Sequence, residues 1–167
     1  MEHQYIIQGE HGYEFHDDTD KREKTELAVK DINNLSNLPC KLLGRYSKQL
    51  ENKLTEKGYG ILNNFMSVDF ESADATIICS GYPHDEAKDS VIMIRYTSNK
   101  YDVLGVKIGM ILEEAIHILE SYGYHKENDD GESYWENNDV QIYVDGELFV
   151  EGLRVDVVTY YLGNRIY

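Results

Sequence analysis

The residues best suited to chemistry in this 167-residue chain are histidines and carboxylates, which bind metal ions and move protons. A zinc site needs a rigid, closed set of ligands, often with cysteine. The densest group lies near the start of the chain and is mixed in ligand type and highly charged, so we interpret it as a solvated acidic arm. No metal or other cofactor is predicted. The group consists of His11, His16, Asp17, Asp18 and Asp20.

Histidines elsewhere lack the neighbours that catalysis needs. His117 is predicted on the polar face of a helix beside Glu113 and Glu114, and His84 lies in a polar loop. A general base acts on a nucleophile or substrate within hydrogen-bond reach, and the sequence identifies none. It also has no glycine-rich phosphate loop, no nucleophile elbow and no Cys/His pair at ligand spacing. We therefore predict a protein that is not an enzyme.

Two further acidic features are better explained by turns. Residues 128–132 have the acids and glycine of a calcium loop, but Lys126 stands at the first ligand position and Asn137 at the twelfth. Asp74 and Asp139 come just before strand patterns, where aspartate commonly caps a turn. Both features are predicted to connect strands.

The chain is a tandem duplication, because a shift of 65 positions lays it on itself without a gap. Residues 42–102 and 107–167 form 61 pairs with 12 identities, whereas chance gives about three or four at average composition. The elements that position the candidate side chains are therefore expected to occur twice. The identical pairs are Gly44/Gly109, Leu54/Leu119, Gly58/Gly123, Tyr59/Tyr124, Asn63/Asn128, Glu71/Glu136, Asp74/Asp139, Ile77/Ile142, Gly81/Gly146, Glu86/Glu151, Tyr96/Tyr161 and Asn99/Asn164.

Each copy has the pattern of one helix followed by strands. In the second copy an apolar stripe runs from Ile111 or Leu112 to Tyr122, and Gly123 suits the positive φ of a C-terminal cap, as Gly58 does in the first. The period then becomes that of strands separated by turn signals. Each unit is therefore expected to be a helix on an antiparallel meander of three or four strands. In the second copy the turn signals lie at residues 128–131, 137–139 and 145–146.

The first 24 residues lie outside the duplication. Gly9 and Gly12 separate two short strand patterns, which predicts a hairpin. Helical spacing begins at Thr25, with Thr25 or Asp20 as the cap, and stops before Pro39. The prediction is an α+β fold in which an αββββ unit occurs twice after an N-terminal arm. Its parts are the arm or hairpin at 1–24, the first repeat with its preceding helix at 25–102 and the second repeat at 103–167, in one compact body.

The second copy opens with Val-Lys-Ile-Gly-Met at residues 106–110, continues with Glu-Glu-Ala at 113–115 and then reaches Gly123-Tyr124. This opening resembles the motif that begins the unit of beta-lactamase inhibitor proteins, and the same opening occurs in the small outer-membrane assembly lipoproteins. In those families a helical segment packs on an antiparallel sheet, and the inhibitors carry the unit twice. Over residues 42–167 the resemblance implies the same tandem fold.

Charge and composition narrow the class of partner. Sixteen Lys and Arg against 31 Asp and Glu give a net charge of −15. This charge repels phosphate backbones and argues against direct nucleic-acid binding, and it either favours a basic partner or serves solubility. No window has the ~18 apolar residues of a membrane span. The first residues do not resemble a signal peptide, and Cys40 and Cys79 are expected to be reduced, so we expect a cytoplasmic protein.

Fourteen tyrosines in so acidic a chain favour an interface, because tyrosine supplies contact area and a hydrogen bond at little entropic cost. We predict a module that binds a protein partner through an exposed sheet face, of the inhibitor or immunity type. Ordinary core packing is the other explanation of the tyrosines. The predicted contact residues are Tyr134, Trp135, Tyr143, Tyr160, Glu136 and Asp139.

Two other classes of function fit the pattern. One is a small-molecule-binding domain or hydrolase with a cleft between the repeats, lined by His117, Glu71 and Glu136. The other is a structural subunit whose exposed strands close a homodimer. The sequence leaves the oligomeric state open.

Overall fold

A computed structural model describes residues 4–9, 12–17, 19–63, 67–80, 90–129, 131–149 and 152–162. Within these ranges no helix has both the length and the apolar character needed to cross a membrane. In chain order the elements are β1 (Gln4–Gly9), β2 (Gly12–Asp17), α1 (Thr19–Leu35), α2 (Lys48–Glu56), β3 (Gly60–Asn63), β4 (Ser67–Glu71), β5 (Ala75–Ser80), β6 (Ser90–Tyr96), α3 (Leu112–Ser121), β7 (His125–Asp129), β8 (Glu132–Asn137), β9 (Val140–Phe149) and β10 (Gly152–Leu162).

One eight-stranded antiparallel sheet contains the strands of both copies. Its order is β3-β4-β5-β6-β10-β9-β8-β7, so each copy supplies a four-stranded meander and their last strands meet at the centre. There Tyr96 pairs with Val158 and Met93 with Tyr161. The strands β1 and β2 form the hairpin predicted around Gly9 and Gly12. The predicted α+β fold, with αββββ twice after an N-terminal arm, is confirmed.

The core is built from equivalent residues of the two copies. Leu54 and Leu119 on the helices are fully buried, as are Ile77 and Ile142 on the strands. All belong to one continuous cluster to which α1 adds Ile32. Each helix therefore covers the same face of the sheet, and the two copies share one core.

Both repeat helices end in the same hydrogen-bonded cap. Gly58 has φ of 91° and Gly123 has φ of 88°. In the first copy Gly58 N donates to Thr55 O, and Tyr59 N donates to Leu54 O. In the second copy Gly123 N donates to Glu120 O, and Tyr124 N donates to Leu119 O. This is the Schellman arrangement, which requires positive φ at the glycine and brings the following residue onto the helix. The Gly-Tyr pair thus ends the helix and sends a tyrosine into the core, where Tyr59 and Tyr124 are each 4% exposed.

Helix α1 begins at Thr19, before both of the predicted caps, Asp20 and Thr25. Of the charged residues assigned to the arm, those at 20–24 belong to the first turns of this helix. Lysine and glutamate lose little rotamer freedom in a helix, and Asp20 pairs with Lys24 one turn later at 3.1 Å. The absence of apolar spacing before Thr25 reflects an exposed first turn.

The hydroxyl of Thr25 connects α1 to the second copy. This side chain is 2% exposed; it donates to Lys21 O at 2.8 Å and accepts from Asp139 N at 3.2 Å. At the other end of the helix, Asn37 and Asp102 exchange hydrogen bonds: Asn37 N donates to Asp102 Oδ1, and Asp102 N to Asn37 O. Although it precedes the first copy, α1 therefore also contacts the second copy and the segment that leads into it.

The predicted turn at residues 145–146 is wrong, because β9 runs without interruption to Phe149. Gly146 pairs with Val155, next to a shift of register in β10 between Val155 and Val157. Glycine inside a strand commonly marks such an irregularity. The turns at Gly131 (φ 83°) and Asn138 (φ 57°) are confirmed.

Candidate binding surface

Strand register divides the sheet into two faces. Phe70, Ile77, Ile94 and Ile142 lie in the row buried beneath the helices, which we call the core face. Residues one position away along each strand point to the opposite side, because side chains alternate along a strand. We call this side the open face. Its described residues include Leu62, Asp69, Glu71, Thr76, Ile78, Met93, Arg95, His125, Glu127, Tyr134, Glu136, Gln141 and Tyr143.

Tyr134 and Tyr143 form an aromatic pair on the open face. Their ring centroids are 5.4 Å apart with planes tilted by 32°, within the range that favours aromatic contact. Both side chains are partly exposed, and the hydroxyl of Tyr143 contacts Gln141 Oε1 at 3.4 Å. The structure thus brings together two of the four predicted aromatic contact residues.

Trp135 lies on the other face. It pairs with Ile142, which is fully buried, and packs against the core cluster. The residue equivalent to Trp135 in the first copy is Phe70, which is fully buried. Trp135 therefore supports the strand that carries Tyr134 but does not share its surface.

The backbone places Tyr160 in a different row from Tyr143. Residue 160 pairs with Ile142 on one side and Ile94 on the other, both in core-face positions, while Tyr143 pairs with Thr159. The backbone register therefore does not align residue 160 with Tyr134 and Tyr143. The register shift between residues 155 and 157 changes the alternation, so parity counted along the sequence does not carry through β10.

The two predicted acidic contacts differ in surroundings. Glu136 lies on the open face, partly exposed and two residues from Tyr134 along β8. Asp139 lies in the turn between β8 and β9, where its carboxylate is only 15% exposed and is 3.0 Å from Lys21 Nζ. Asp139 therefore anchors the turn to α1. Its equivalent Asp74 is held in a similar way, by the Ser98 hydroxyl at 2.7 Å.

The residues expected to line a catalytic cleft are far apart. Glu71 on β4 and Glu136 on β8 are separated by five strand spacings, about 24 Å along the sheet at ~4.8 Å per strand. His117 is exposed on α3, which packs on the core face, while both glutamates lie on the open face. These three residues do not form one site.

A group that the sequence analysis missed lies at the edge of the open face. His125 pairs across the strands with Glu136, and Glu127 follows two residues along β7. The His125 Nε2 atom is 3.2 Å from Glu127 Oε1, and one ligand atom from each of the three residues lies within 4.8 Å of the others. The two-residue spacing of His125 and Glu127 on one strand was visible in the sequence. Their cross-strand neighbour Glu136 could be identified only from the register of β7 and β8.

The described metal ligands considered in the N-terminal segment lie in two successive elements. His16 pairs with Tyr5 and Asp17 with Gln4 in the hairpin, whereas Asp20 lies in α1. The remaining candidates of that segment, His11 and Asp18, and also His84, lie outside the described residues.

Burial keeps the thiol of Cys40 and the phenols of Tyr59 and Tyr124 protonated. It raises the pKa of Cys40 to about 12, although Lys53 and Lys57 oppose the effect. Burial likewise raises the pKa of Tyr59 and Tyr124, the equivalent residues of the two caps. Cys40 and Cys79 are both buried and form no disulfide. Because a thiolate rather than a thiol is the nucleophile, Cys40 is a packing residue.

No family model and no curated protein matches the chain. Among solved structures, it is similar to a cysteine-rich secretory protein from Staphylococcus aureus, with 13% sequence identity and a TM-score of 0.38. The similarity covers 64% of this chain and 39% of that protein.

Proposed function

We propose that this chain is a non-catalytic protein-binding module that engages its partner through the open face of the second copy. The observation that carries the proposal is the pair of Tyr134 and Tyr143, partly exposed on the face that the helices leave uncovered. Paired tyrosines offer a rigid apolar surface with a hydroxyl at its rim, the kind of group that dominates many protein interfaces.

The charges around this pair suit a basic partner. Glu127 lies directly across from Tyr134, and Glu136 is its neighbour along the strand. On a chain of net charge −15, these carboxylates would attract lysine and arginine side chains and raise the rate of association. Arg95 lies two strands from Tyr143 in the same row, where it would favour an acidic group of the partner.

The proposal of a more specific role is based on the tandem architecture. An inhibitor or immunity-type role fits an acidic sheet face built from two αββββ units, as the resemblance of the second copy's opening suggests. The proposed location is cytoplasmic, which is supported by two buried thiols that form no disulfide.

A second candidate is the homodimer. Strand β3 is an edge of the sheet, and its Ile61 and Leu62 are 40% and 49% exposed. An exposed apolar edge can pair with the same edge of another molecule. This strand is only four residues long, and short edge strands are one way in which proteins avoid such pairing.

The test is a capture experiment with three baits: the wild-type chain, the Tyr134→Ser/Tyr143→Ser double variant, and His117→Ser on the helical side. We expect a discrete basic protein on the wild type and on His117→Ser, lost from the double variant and weakened at high salt. Capture that is unchanged by the double substitution would contradict the proposal. If sedimentation shows a dimer at micromolar concentration that Leu62→Lys dissociates, the homodimer is favoured instead.

A further inference from the structure

We propose that His125, Glu127 and Glu136 form a binding site for one divalent transition-metal ion of the zinc class. The site goes beyond the proposed partner binding and does not depend on it. It lies where the edge strand β7 pairs with β8, at the rim of the open face.

The backbone brings the three ligands to one point. His125 and Glu127 are two residues apart on β7 and so share a face, and Glu136 lies directly across from His125. Both strands belong to the sheet, so the ligands stand on regular structure rather than on a loop. Two ligands of a tetrahedral zinc ion at ~2.1 Å lie about 3.4 Å from each other. The 3.2 Å between His125 Nε2 and Glu127 Oε1 matches that separation.

The donor types select the class of ion. Imidazole favours zinc and neighbouring transition metals, whereas Mg²⁺ and Ca²⁺ prefer sites made only of oxygen. Two carboxylates beside one imidazole give a negative site, which a divalent cation neutralises. The side chains of His125 and Glu127 are 60% and 44% exposed. Water can therefore complete the coordination, as in zinc sites with three protein ligands.

The first copy provides an internal comparison, because the corresponding positions there are Gly60, Leu62 and Glu71. Gly60 pairs with Glu71 as His125 pairs with Glu136, so the backbone arrangement is the same. Only one of the three ligands is present. The duplication thus contains one complete set of ligands and one set that cannot hold the ion.

Titration of the full, chelator-treated chain with Co²⁺, followed by displacement with Zn²⁺, tests the site. We expect the visible absorption bands of bound Co²⁺ to saturate at one ion per chain and Zn²⁺ to abolish them. His125→Ala and Glu136→Gln should each weaken binding about ten-fold or more. Glu71→Gln, the matched change in the first copy, should leave it unaltered.

Several results would overturn the site. They are the absence of saturable binding, equal affinity of wild type and Glu136→Gln, or binding that persists in His125→Ala but disappears in His16→Ala. Circular dichroism of each variant shows whether it has folded. Titration with Mg²⁺ provides the selectivity control, since Mg²⁺ should not compete with Co²⁺.

Discussion

Single tyrosines serve two different purposes in this molecule. Tyr59 and Tyr124 follow the helix-capping glycines and fill the core, whereas Tyr134 and Tyr143 form a pair on the open face. The difference follows from where each residue falls in its element. A tyrosine after a Schellman glycine is directed back onto the helix, while one that alternates with Trp135 and Ile142 on a strand must face away from them.

The capping glycines are required for their backbone conformation. At φ of 88°, alanine at residue 123 would be strained by about 1–2 kcal/mol, although its Cβ would meet only Asn137 Nδ2 at 3.6 Å. Gly123→Ala should therefore lower the free energy of unfolding in urea by about that amount. Gly60→Ala is the control, since Gly60 does not have positive φ and has space for a Cβ. Equal stability of the two variants would show that the cap geometry is not needed.

The carboxylate of Glu51 makes a pH-dependent contribution to stability at the start of α2. Its pKa lies below the ordinary 4.5, first because Lys48 donates to it at 2.8 Å and then because the Tyr46 hydroxyl donates at 2.6 Å. Since the folded pKa is depressed, the stabilisation is complete above pH 4.5 and is lost as the pH falls through the folded pKa. Tyr46→Phe should move this pKa back toward 4.5, as measured by carbon-13 NMR of the carboxyl group. An unmoved pKa would rule out the phenol as a cause.

Among the elements, α1 shows where sequence patterns were insufficient. Apolar spacing marked its buried half, Ala28 to Ile32, correctly, but gave no sign of the exposed first turn at Thr19. The pattern also could not show that Thr25 meets the turn before β9, because contacts across more than a hundred residues leave no local periodicity. The strands were predicted more completely, since alternation and turn residues are local signals.

The Thr25 hydroxyl should contribute more to the free energy of unfolding than the nearby ion pair between Lys21 and Asp139. Thr25→Val keeps the shape but removes the acceptor for the partly buried Asp139 N–H, so we expect a loss of about 1–2 kcal/mol in the free energy of unfolding. Lys21→Ala removes the pair with Asp139 from a side chain that is half exposed, and should cost less than about 1 kcal/mol. Chemical denaturation of both variants measures which substitution lowers the free energy of unfolding more. The reverse order would mean that charge, not the hydroxyl, holds α1 in place.

For the whole molecule, the duplication predicted the units but not how they join. Twelve identities established two equivalent meanders. Either edge strand of one meander could have paired with either edge strand of the other. The structure joins them through β6 and β10, which leaves β3 and β7 at the edges of the sheet. That choice separates Glu71 from Glu136, so these two of the residues expected to line a cleft do not lie together. It also places the tyrosine pair beside the edge strand that carries His125.

We propose that partner binding covers the open face and leaves the helical side free. Hydroxyl-radical footprinting of the free chain and of its complex with the captured partner tests it directly, because the chain has a tyrosine reporter on each side. Tyr134 and Tyr143 are partly exposed on the open face, and Tyr122 is 36% exposed at the end of α3. We expect the partner to protect Tyr134 and Tyr143 from oxidation and to leave Tyr122 unchanged. Protection of Tyr122, with Tyr134 and Tyr143 oxidised as in the free chain, would contradict it.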